Sequence, residues 1–214
     1  MPRLVVWGAS GHAKVVADIV RLQGDHEIIG FLDDRDPSAA GRPFCGSSVL
    51  GGRERLPALR EEGVTHVLFG FGDGAARLRL GALVRDLGFA LATAVHPRAV
   101  VAGDVGIGPG SVVAAGAVVG PGAVIGENVI VNTLAGIDHD CVVERGAHVC
   151  PGARLGGFVV VKETAWVGLG TTVRDRVTIG RGTVVGAGSL VLRDLPDGVV
   201  AYGTPAAIAR TVET

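Results

Sequence analysis

A six-residue repeat fills the second half of the chain and constrains its fold more than any other feature. Every sixth residue from Val95 to Val191 is Val, Ile or Leu, which places seventeen aliphatic residues in one register. A second column with the same period, from Ala99 to Ser189, holds only small or β-branched residues. A period of six fits neither an α-helix nor a hairpin meander, but it fits a short strand and a tight turn wound into a solenoid. We therefore expect the aliphatic column to stack inside such a solenoid.

Composition agrees with a turn-rich, folded protein. Glycine contributes 35 of 214 residues, more than twice its average share of about 7%, which argues against a mostly helical chain. Hydrophobic residues make up 48% and charged residues 19%, which excludes a disordered chain, and no apolar run approaches the roughly 18 residues of a spanning helix. We predict a soluble protein with no membrane partner.

Charge and cysteine content exclude further classes. The formal net charge is −1 and basic residues are scattered among acidic ones, so nothing indicates a nucleic-acid partner. The three cysteines are odd in number and lack CxxC spacing, which supports neither a disulfide framework nor a zinc knuckle. The polar, glycine-rich start of the chain does not have the apolar core of a secretory signal. We therefore expect a cytoplasmic location.

The first ninety residues alternate strand and helix signals. Residues 3–7 read as a buried strand, residues 8–24 as a glycine-rich turn opening an amphipathic helix, and residues 27–34 as a second strand ending in two acids. A third strand and a further helix follow before the repeat begins. This β-α-β order predicts a parallel sheet whose ligand edge carries the loops after each strand. The turn reads G-x-x-G-H rather than G-x-G-x-x-G, so the residues alone leave ligand binding and a simple tight turn both open.

The sequence motifs resemble a known family. IGPGSV and IGRGTV in the repeat, with GASGHAKVV, FLDD and GFGD before it, are similar to hexapeptide-repeat sugar O- and N-acetyltransferases that act in polysaccharide biosynthesis. The resemblance covers essentially the whole chain. It implies a Rossmann-like α/β domain at residues 1–93 that binds a nucleotide-linked sugar, and a left-handed parallel β-helix at residues 94–214 with a C-terminal cap. With three hexads per coil, seventeen hexads make between five and six coils, and residues eighteen apart stack.

The resemblance also implies binding residues in the first domain. The family motif maps onto six positions that would hold the nucleotide sugar: Ser10, Gly11, His12, Asp33, Asp34 and Gly72. Backbone N–H groups at a helix start suit a diphosphate, and carboxylates at a strand end can accept hydrogen bonds from ribose or base.

His139, flanked by Asp138 and Asp140, is the candidate catalytic residue. A histidine suits general-base chemistry at neutral pH, and a neighbouring carboxylate can orient its ring; a solvated turn histidine is the alternative. The resembling family carries a catalytic histidine here, followed by an acid that is often Glu, so Asp140 is a departure. The alternatives are that Asp140 still assists the ring, that Asp138 takes its place, or that the base works with less help. Gly157 lies eighteen residues on, where we expect space for a thioester and an N–H group directed at the oxyanion.

The family resemblance implies the remaining site residues and the assembly. His148, nine residues after His139 and so on another face, would contact the acyl donor, and Trp166 would line the same cleft or pack between subunits. The CoA arm would pass Gly168, Leu169 and Ala187. In this family each left-handed β-helix has the shape of a three-sided prism. Three such prisms form a homotrimer, and the substrates meet between neighbouring subunits.

The sequence thus predicts an acetyl-CoA-dependent acyltransferase that acetylates the amino group of a nucleotide-linked amino sugar directly, with no metal. O-acetylation of sialic acid or a related free sugar is the nearest alternative. A prism-shaped carbonic anhydrase is a further alternative, and it would need three histidines to bind a metal ion. The repeat region contains only three histidines, His96, His139 and His148. A non-enzymatic scaffold is the third alternative.

Overall fold

The first ninety residues form a six-stranded sheet with helices on both sides. The computed structural model describes residues 1–212. The strands are β1 (Arg3–Trp7), β2 (Glu27–Leu32), β3 (Pro43–Phe44), β4 (Ser47–Gly51), β5 (His66–Phe69) and β6 (Ala90–Leu91), and the helices are α1 (Gly11–Gln23), α2 (Leu56–Glu61) and α3 (Gly74–Asp86). Two 3₁₀ turns lie at Pro37–Ala39 and Arg53–Arg55. The sheet order is β3-β4-β2-β1-β5-β6, and every pair except β3 with β4 is parallel.

This domain is Rossmann-like, as the β-α-β pattern predicts, with differences in detail. In α1, Val16, Ile19 and Val20 are buried, whereas Val15 and Leu22 are exposed. The β3–β4 hairpin and α2 do not follow from the sequence pattern. They are short segments interrupted by Pro or Gly, so their hydrophobic residues show neither the two-residue period of a strand nor the 3.6-residue period of a helix.

The repeat region is a left-handed parallel β-helix. Seventeen two-residue strands, β7 to β23, follow one another at Ala94–Val95, Val100–Val101, Gly106–Ile107, Val112–Val113, Val118–Val119, Val124–Ile125, Ile130–Val131, Gly136–Ile137, Val142–Val143, His148–Val149, Arg154–Leu155, Val160–Val161, Trp166–Val167, Thr172–Val173, Thr178–Ile179, Val184–Val185 and Leu190–Val191. Each pairs in parallel with the strand eighteen residues away, as Val112 does with Ile130. The predicted register and number of repeats are confirmed.

The strands form the three faces of the prism. Face 1 contains β7, β10, β13, β16, β19 and β22; face 2 contains β8, β11, β14, β17, β20 and β23; face 3 contains β9, β12, β15, β18 and β21. The second residue of each strand points inward, and this aliphatic column forms the prism core together with the small-residue column, which includes Cys141. A final hairpin of β24 (Val199–Gly203) and β25 (Ala206–Thr211) extends face 1 and forms the cap.

The corners of the prism share one backbone conformation. From Gly110 to Gly188, every sixth residue has a positive φ. Glycine stands at eight of these fourteen corner positions because it adopts this conformation without steric cost. A residue with a side chain stands at the other six: Asn128, Leu134, Asp140, Phe158, Thr164 and Arg176. At each of these positions the left-handed backbone lowers stability by about 1–2 kcal/mol relative to glycine. The presence of a side chain there therefore needs an explanation.

The α/β domain packs on face 1. The outward residue Val112 on face 1 is buried in a cluster with α1 residues, whereas Val118, at the equivalent position on face 2, is exposed. Arg77 of α3 is fully buried at this junction and donates hydrogen bonds to prism carbonyls of Asn128 and Gly146 and to the carbonyl of Phe71. No helix among residues 1–212 is long and apolar enough to cross a membrane.

We expect Arg77→Ala to destabilise the protein much more than Arg85→Ala. The first substitution leaves several buried carbonyls without donors and should cost at least about 3 kcal/mol. Arg85, on the same helix, forms a solvent-exposed ion pair with the prism residue Glu127, so its removal should cost less than about 1 kcal/mol. Urea unfolding of both variants tests this, and equal midpoints would contradict the role assigned to Arg77.

Candidate active site

His139 lies in the turn between face 2 and face 3, and its ring is oriented by the next residue. The Nδ1 atom of His139 lies 2.8 Å from Oδ2 of Asp140. The backbone N–H of His139 donates to Oδ1 of Asp138 at 2.8 Å. Because a carboxylate only accepts hydrogen bonds, Nδ1 carries the proton and Nε2 of the neutral ring has an available lone pair. This is the arrangement that a general base requires.

Asp140 reaches the ring although it is shorter than the Glu expected at this position. Its φ is 56°, so this is one of the corner residues with left-handed backbone. The Asp140 hydrogen bond is the largest influence that raises the pKa of His139 above its usual value, and the Asp138 and Asp140 charges add to it. Asp138 therefore contributes charge and a backbone contact, while Asp140 holds the ring.

The ring of His139 fills the space above Gly157. A Cβ atom at Gly157 would lie 2.6 Å from Nε2 of His139, so only glycine allows the ring to lie there. The imidazole therefore lies directly against Gly157, and the entry of a thioester beside it stays a prediction. The Gly157 N–H group has no hydrogen-bond acceptor among residues 1–212, so it remains a possible donor to a ligand.

Two residues that sequence reasoning missed stack beside His139. Phe158 packs edge-to-face on the imidazole at 5.2 Å between ring centroids, and the Arg176 guanidinium lies 4.3 Å from the Phe158 ring centroid. Asp140, Phe158 and Arg176 are eighteen residues apart in sequence and all have positive φ. The sequence signal was available: three consecutive coils have a side chain at a corner where glycine is the usual residue.

A groove leads from this corner across face 2. Its volume is about 980 Å³. His139, Gly157 and Phe158 line one end, Leu134 lines the other, and Arg154 lies between them. The groove is therefore long enough to connect two edges of the prism.

His148 lies elsewhere, at the junction of the prism with the α/β domain. Its ring is 6% exposed and packs against Trp166 at 4.3 Å and near His12 at 6.3 Å between centroids. Gly72 completes this contact, since a Cβ there would lie 3.3 Å from the Trp166 ring and 3.7 Å from Nδ1 of His148. The structure thus brings together residues predicted for the nucleotide sugar (His12 and Gly72) and for the acyl donor (His148 and Trp166).

Both histidines at the junction are uncharged near neutral pH. Burial first, and then the positive charge of Arg77, lower the pKa of His12 to about 4. Burial, Arg77 and His12 lower the pKa of His148 to about 3. Nε2 of His12 and Nδ1 of His148 have no hydrogen-bond partner among residues 1–212. Two neutral, buried ring nitrogens are therefore available at this junction.

A second cavity, of about 270 Å³, lies at the carboxyl edge of the sheet. Ser10, Asp33 and Asp34 line it, together with Trp7 and Arg53. Both carboxylate oxygens of Asp34 accept hydrogen bonds from Arg53, which sequence reasoning also missed.

Three predicted residues lie outside this cavity. Gly11 is the exposed first residue of α1, and His12 and Gly72 belong to the junction instead.

The predicted CoA residues form a third group. Gly168, Leu169 and Ala187 lie at the corner between face 1 and face 2, where a Cβ at Gly168 would lie 2.8 Å from the Ala187 backbone nitrogen and Leu169 is exposed. His148 is on the adjoining face, whereas His139 is across face 2. Within one chain, His139 and His148 therefore lie on different sides of face 2 and do not form a single site. Within residues 1–212, no three His, Cys, Asp or Glu side chains are grouped to hold a metal ion.

Opposite substitutions should shift the His139 pKa in opposite directions. Asp140→Asn removes the interaction that raises this pKa, so the pKa should fall. Arg176→Gln removes a positive charge that lowers it, so the pKa should rise. Histidine proton NMR titration measures both shifts, with Arg193→Gln, outside the influences on this ring, as the control. Shifts in the same direction in both variants would contradict the proposed electrostatics.

Sequence and structure comparisons identify relatives. The PglD N-terminal domain family matches residues 3–82. A solved structure of perosamine N-acetyltransferase from Caulobacter crescentus, a histidine mutant in complex with CoA and GDP-perosamine, is 41% identical, with 96% of each chain covered and a TM-score of 0.90. The acetyltransferase domain of PglB from Neisseria gonorrhoeae FA1090, in complex with acetyl coenzyme A, is 38% identical over 97% of this chain and 98% of that one, with a TM-score of 0.88.

Curated relatives match over a shorter stretch. The galactoside O-acetyltransferase of Lactococcus lactis is 48% identical over 52 residues, which is 24% of this chain and 25% of that protein. The match therefore spans about a quarter of that relative's length. The full-length similarity to perosamine N-acetyltransferase, together with the family match in the α/β domain, identifies this chain as a member of the hexapeptide-repeat sugar acetyltransferase family.

Proposed function

We propose that this protein is an acetyl-CoA-dependent N-acetyltransferase acting on a nucleotide-linked amino sugar. The observation that carries the proposal is the junction, where His12 and Gly72 of the α/β domain lie against His148 and Trp166 of the prism. A nucleotide sugar held by residues 1–93 would extend its sugar toward this junction. The acyl donor would lie along residues 94–214. The relatives fit this reading, since one was solved with CoA and GDP-perosamine and another with acetyl coenzyme A.

The α/β cavity suits the nucleotide. Ser10 is the N-cap of α1 but makes no side-chain capping bond, whereas Asp73 caps α3 by accepting from the Ala76 N–H. The uncapped N–H groups of α1 are therefore available for a diphosphate. Asp34 holds Arg53, so Asp33 is the carboxylate that would accept hydrogen bonds from the ribose or base.

His139 would act as the general base. Its Nε2 atom accepts a proton from the acceptor amine as the amine nitrogen attacks the thioester carbonyl. The Gly157 N–H group would stabilise the negative oxygen of the tetrahedral intermediate. Collapse of that intermediate breaks the C–S bond, and the departing thiolate takes the proton from His139. The transfer is direct, and Cys141 and Cys150 take no part because both are buried and burial raises their pKa values.

We further propose a homotrimer in which neighbouring chains complete each site. His139 and His148 lie on separate parts of one prism, so His139 of one subunit must meet the junction of the next. The exposed apolar residues Val100 and Val118 on face 2 give that neighbour a contact surface. Closed threefold symmetry would form three equal sites. The cytoplasm is the proposed compartment, and polysaccharide biosynthesis the proposed process.

A substrate panel tests the reaction. Purified protein is mixed with acetyl-CoA and GDP- or UDP-linked amino sugars, their hydroxyl counterparts, or free sialic acid, and thiol release is followed. We expect turnover with a nucleotide-linked amino sugar. Turnover only with free sialic acid would favour the O-acetyltransferase alternative, and no binding of acetyl-CoA would favour a scaffold.

His139→Ala should lower kcat by about 10²- to 10⁴-fold, the usual contribution of a positioned general base. Acetyl-CoA affinity should change little, because His148 and the face 1–face 2 corner do not depend on this ring. His26→Ala, which alters a histidine at the other end of the α/β sheet, serves as the control. Near wild-type turnover of His139→Ala would contradict the mechanism.

Mixed trimers test the shared site. His139→Ala and His148→Ala subunits, each nearly inactive alone, are coexpressed with different tags and copurified. If each site takes His139 from one subunit and His148 from the next, every mixed trimer contains one intact site of its three, so about a third of wild-type activity is restored by the symmetry of the ring. Activity no higher than that of the separate variants would show that one chain supplies both histidines.

A further inference from the structure

His139 needs more than its hydrogen bond to keep one orientation. The side chains of His139 and Asp140 are both about half-exposed, and an ion pair or hydrogen bond in contact with water contributes little to stability. The bond also leaves the ring free to tilt about the line that joins Nδ1 of His139 to Oδ2 of Asp140. A general base has to present its lone pair to the acceptor within a narrow range of angles. Other contacts must therefore restrict the ring.

Gly157 and Phe158 of the next coil provide those contacts. The ring of His139 lies directly over the Gly157 backbone, where a side chain would collide with it. The Phe158 ring meets the imidazole at 88°, with 5.2 Å between the ring centroids, which is the edge-to-face geometry that aromatic pairs favour. Both residues therefore contact the imidazole, and the groove that His139 also lines leaves the rest of the ring open to a ligand.

Phe158 is itself held in place. The Arg176 guanidinium lies 4.3 Å from the centroid of the Phe158 ring, a distance at which a cation attracts the face of an aromatic ring. The Nε atom of Arg176 lies 4.0 Å from Oδ2 of Asp175, so the guanidinium has an acidic neighbour. The Phe158 ring thus contacts a cation of the following coil and the imidazole of the preceding coil, and these two contacts limit its freedom to turn away.

Phe158 stands at a position that is unfavourable for it. Its φ is 59°, a conformation that suits glycine, and its apolar side chain belongs to a residue that is 41% exposed. Glycine occupies eight of the fourteen corners, so neither the turn nor the prism core requires an aromatic residue here. An exposed aromatic side chain on a strained backbone, in contact with the proposed general base, indicates a role in the site.

We propose that Phe158 is a positioning residue that holds the His139 ring in the orientation in which Nε2 faces the acceptor. Phe158 takes no part in proton transfer and acts only through the imidazole that it contacts. Asp140 determines which nitrogen carries the proton, and Phe158 determines where the other nitrogen points. The effect on turnover rests on the proposed function, whereas the orientation of the ring does not.

The orientation is tested on the ligand-free protein. Three-bond NMR couplings to Cγ of His139, assigned by the loss of its signals in His139→Gln, report the χ1 rotamer. We expect one rotamer in the wild-type protein and averaging among rotamers in Phe158→Gly, since only Asp140 and the Gly157 backbone then hold the ring. Phe158→Gly should fold, because glycine is the usual residue at these corners. Phe158→Tyr keeps the aromatic ring and should keep the single rotamer. An unchanged His139 rotamer in Phe158→Gly would overturn the proposal.

Thr164→Gly is the matched control. Thr164 has a φ of 57° at the corner between face 3 and face 1, so this substitution makes the same backbone change away from His139. It should alter neither the His139 rotamer nor turnover. Equal effects of Thr164→Gly and Phe158→Gly would show that the corner backbone and not the aromatic ring is responsible, which would also overturn the proposal.

Steady-state kinetics test the consequence for catalysis. Because a misaligned reacting group can cost about 10²-fold in rate, Phe158→Gly should lower kcat by about 10- to 100-fold. The KM values for acetyl-CoA and the sugar nucleotide should change by less than about twofold, and Phe158→Tyr should retain most of kcat. A loss confined to KM for the sugar nucleotide would make Phe158 a substrate contact and contradict the positioning role. If the wild-type protein shows the single rotamer but acetylates no sugar of the panel, the proposed function fails, while the NMR result still supports the positioning of the ring.

Discussion

The parallel pairing of residues eighteen apart is the constraint on which the rest of the prism depends. It keeps the aliphatic column inside and repeats the same corner in every coil. A side chain at one corner therefore lies directly against the corners of the coils on either side. The site uses this geometry: His139 can lie over Gly157 only because the register places a glycine one coil away. A one-residue slip would turn the core outward and separate this pair.

The buried Arg77 links this prism to the α/β domain. It has carbonyl acceptors on both sides of the junction, so its hydrogen bonds fix the position of α3 over face 1. The same charge lies close enough to His12 and His148 to help keep both rings neutral. One residue therefore sets both the geometry and the electrostatics of the place where the two halves of the proposed reaction meet.

The sequence predicted the parts that repeat and missed the parts that depend on contacts between distant segments. The hexads predicted every prism strand because each coil is determined by its neighbours. The position and flanking acids of His139 were also visible. Arg77 and Arg53 could not be found, since one arginine looks like any other in a sequence until its partners are known. The close contact of the His139 ring with Gly157 could not be predicted, because a register gives the position of a backbone and not the rotamer of a side chain that covers it.

Three of the six corners that have a side chain where glycine is usual lie beside the proposed general base, and they lower stability at the place where the proposed site needs side chains. Asp140, Phe158 and Arg176 all adopt a backbone conformation that L-residues disfavour, one above another beside His139. Glycine there would relax the backbone but would remove the carboxylate, the aromatic ring and the cation together. A chain selected only for thermal stability would therefore be expected to lose its function first along this one edge, while its strands and core stayed unchanged.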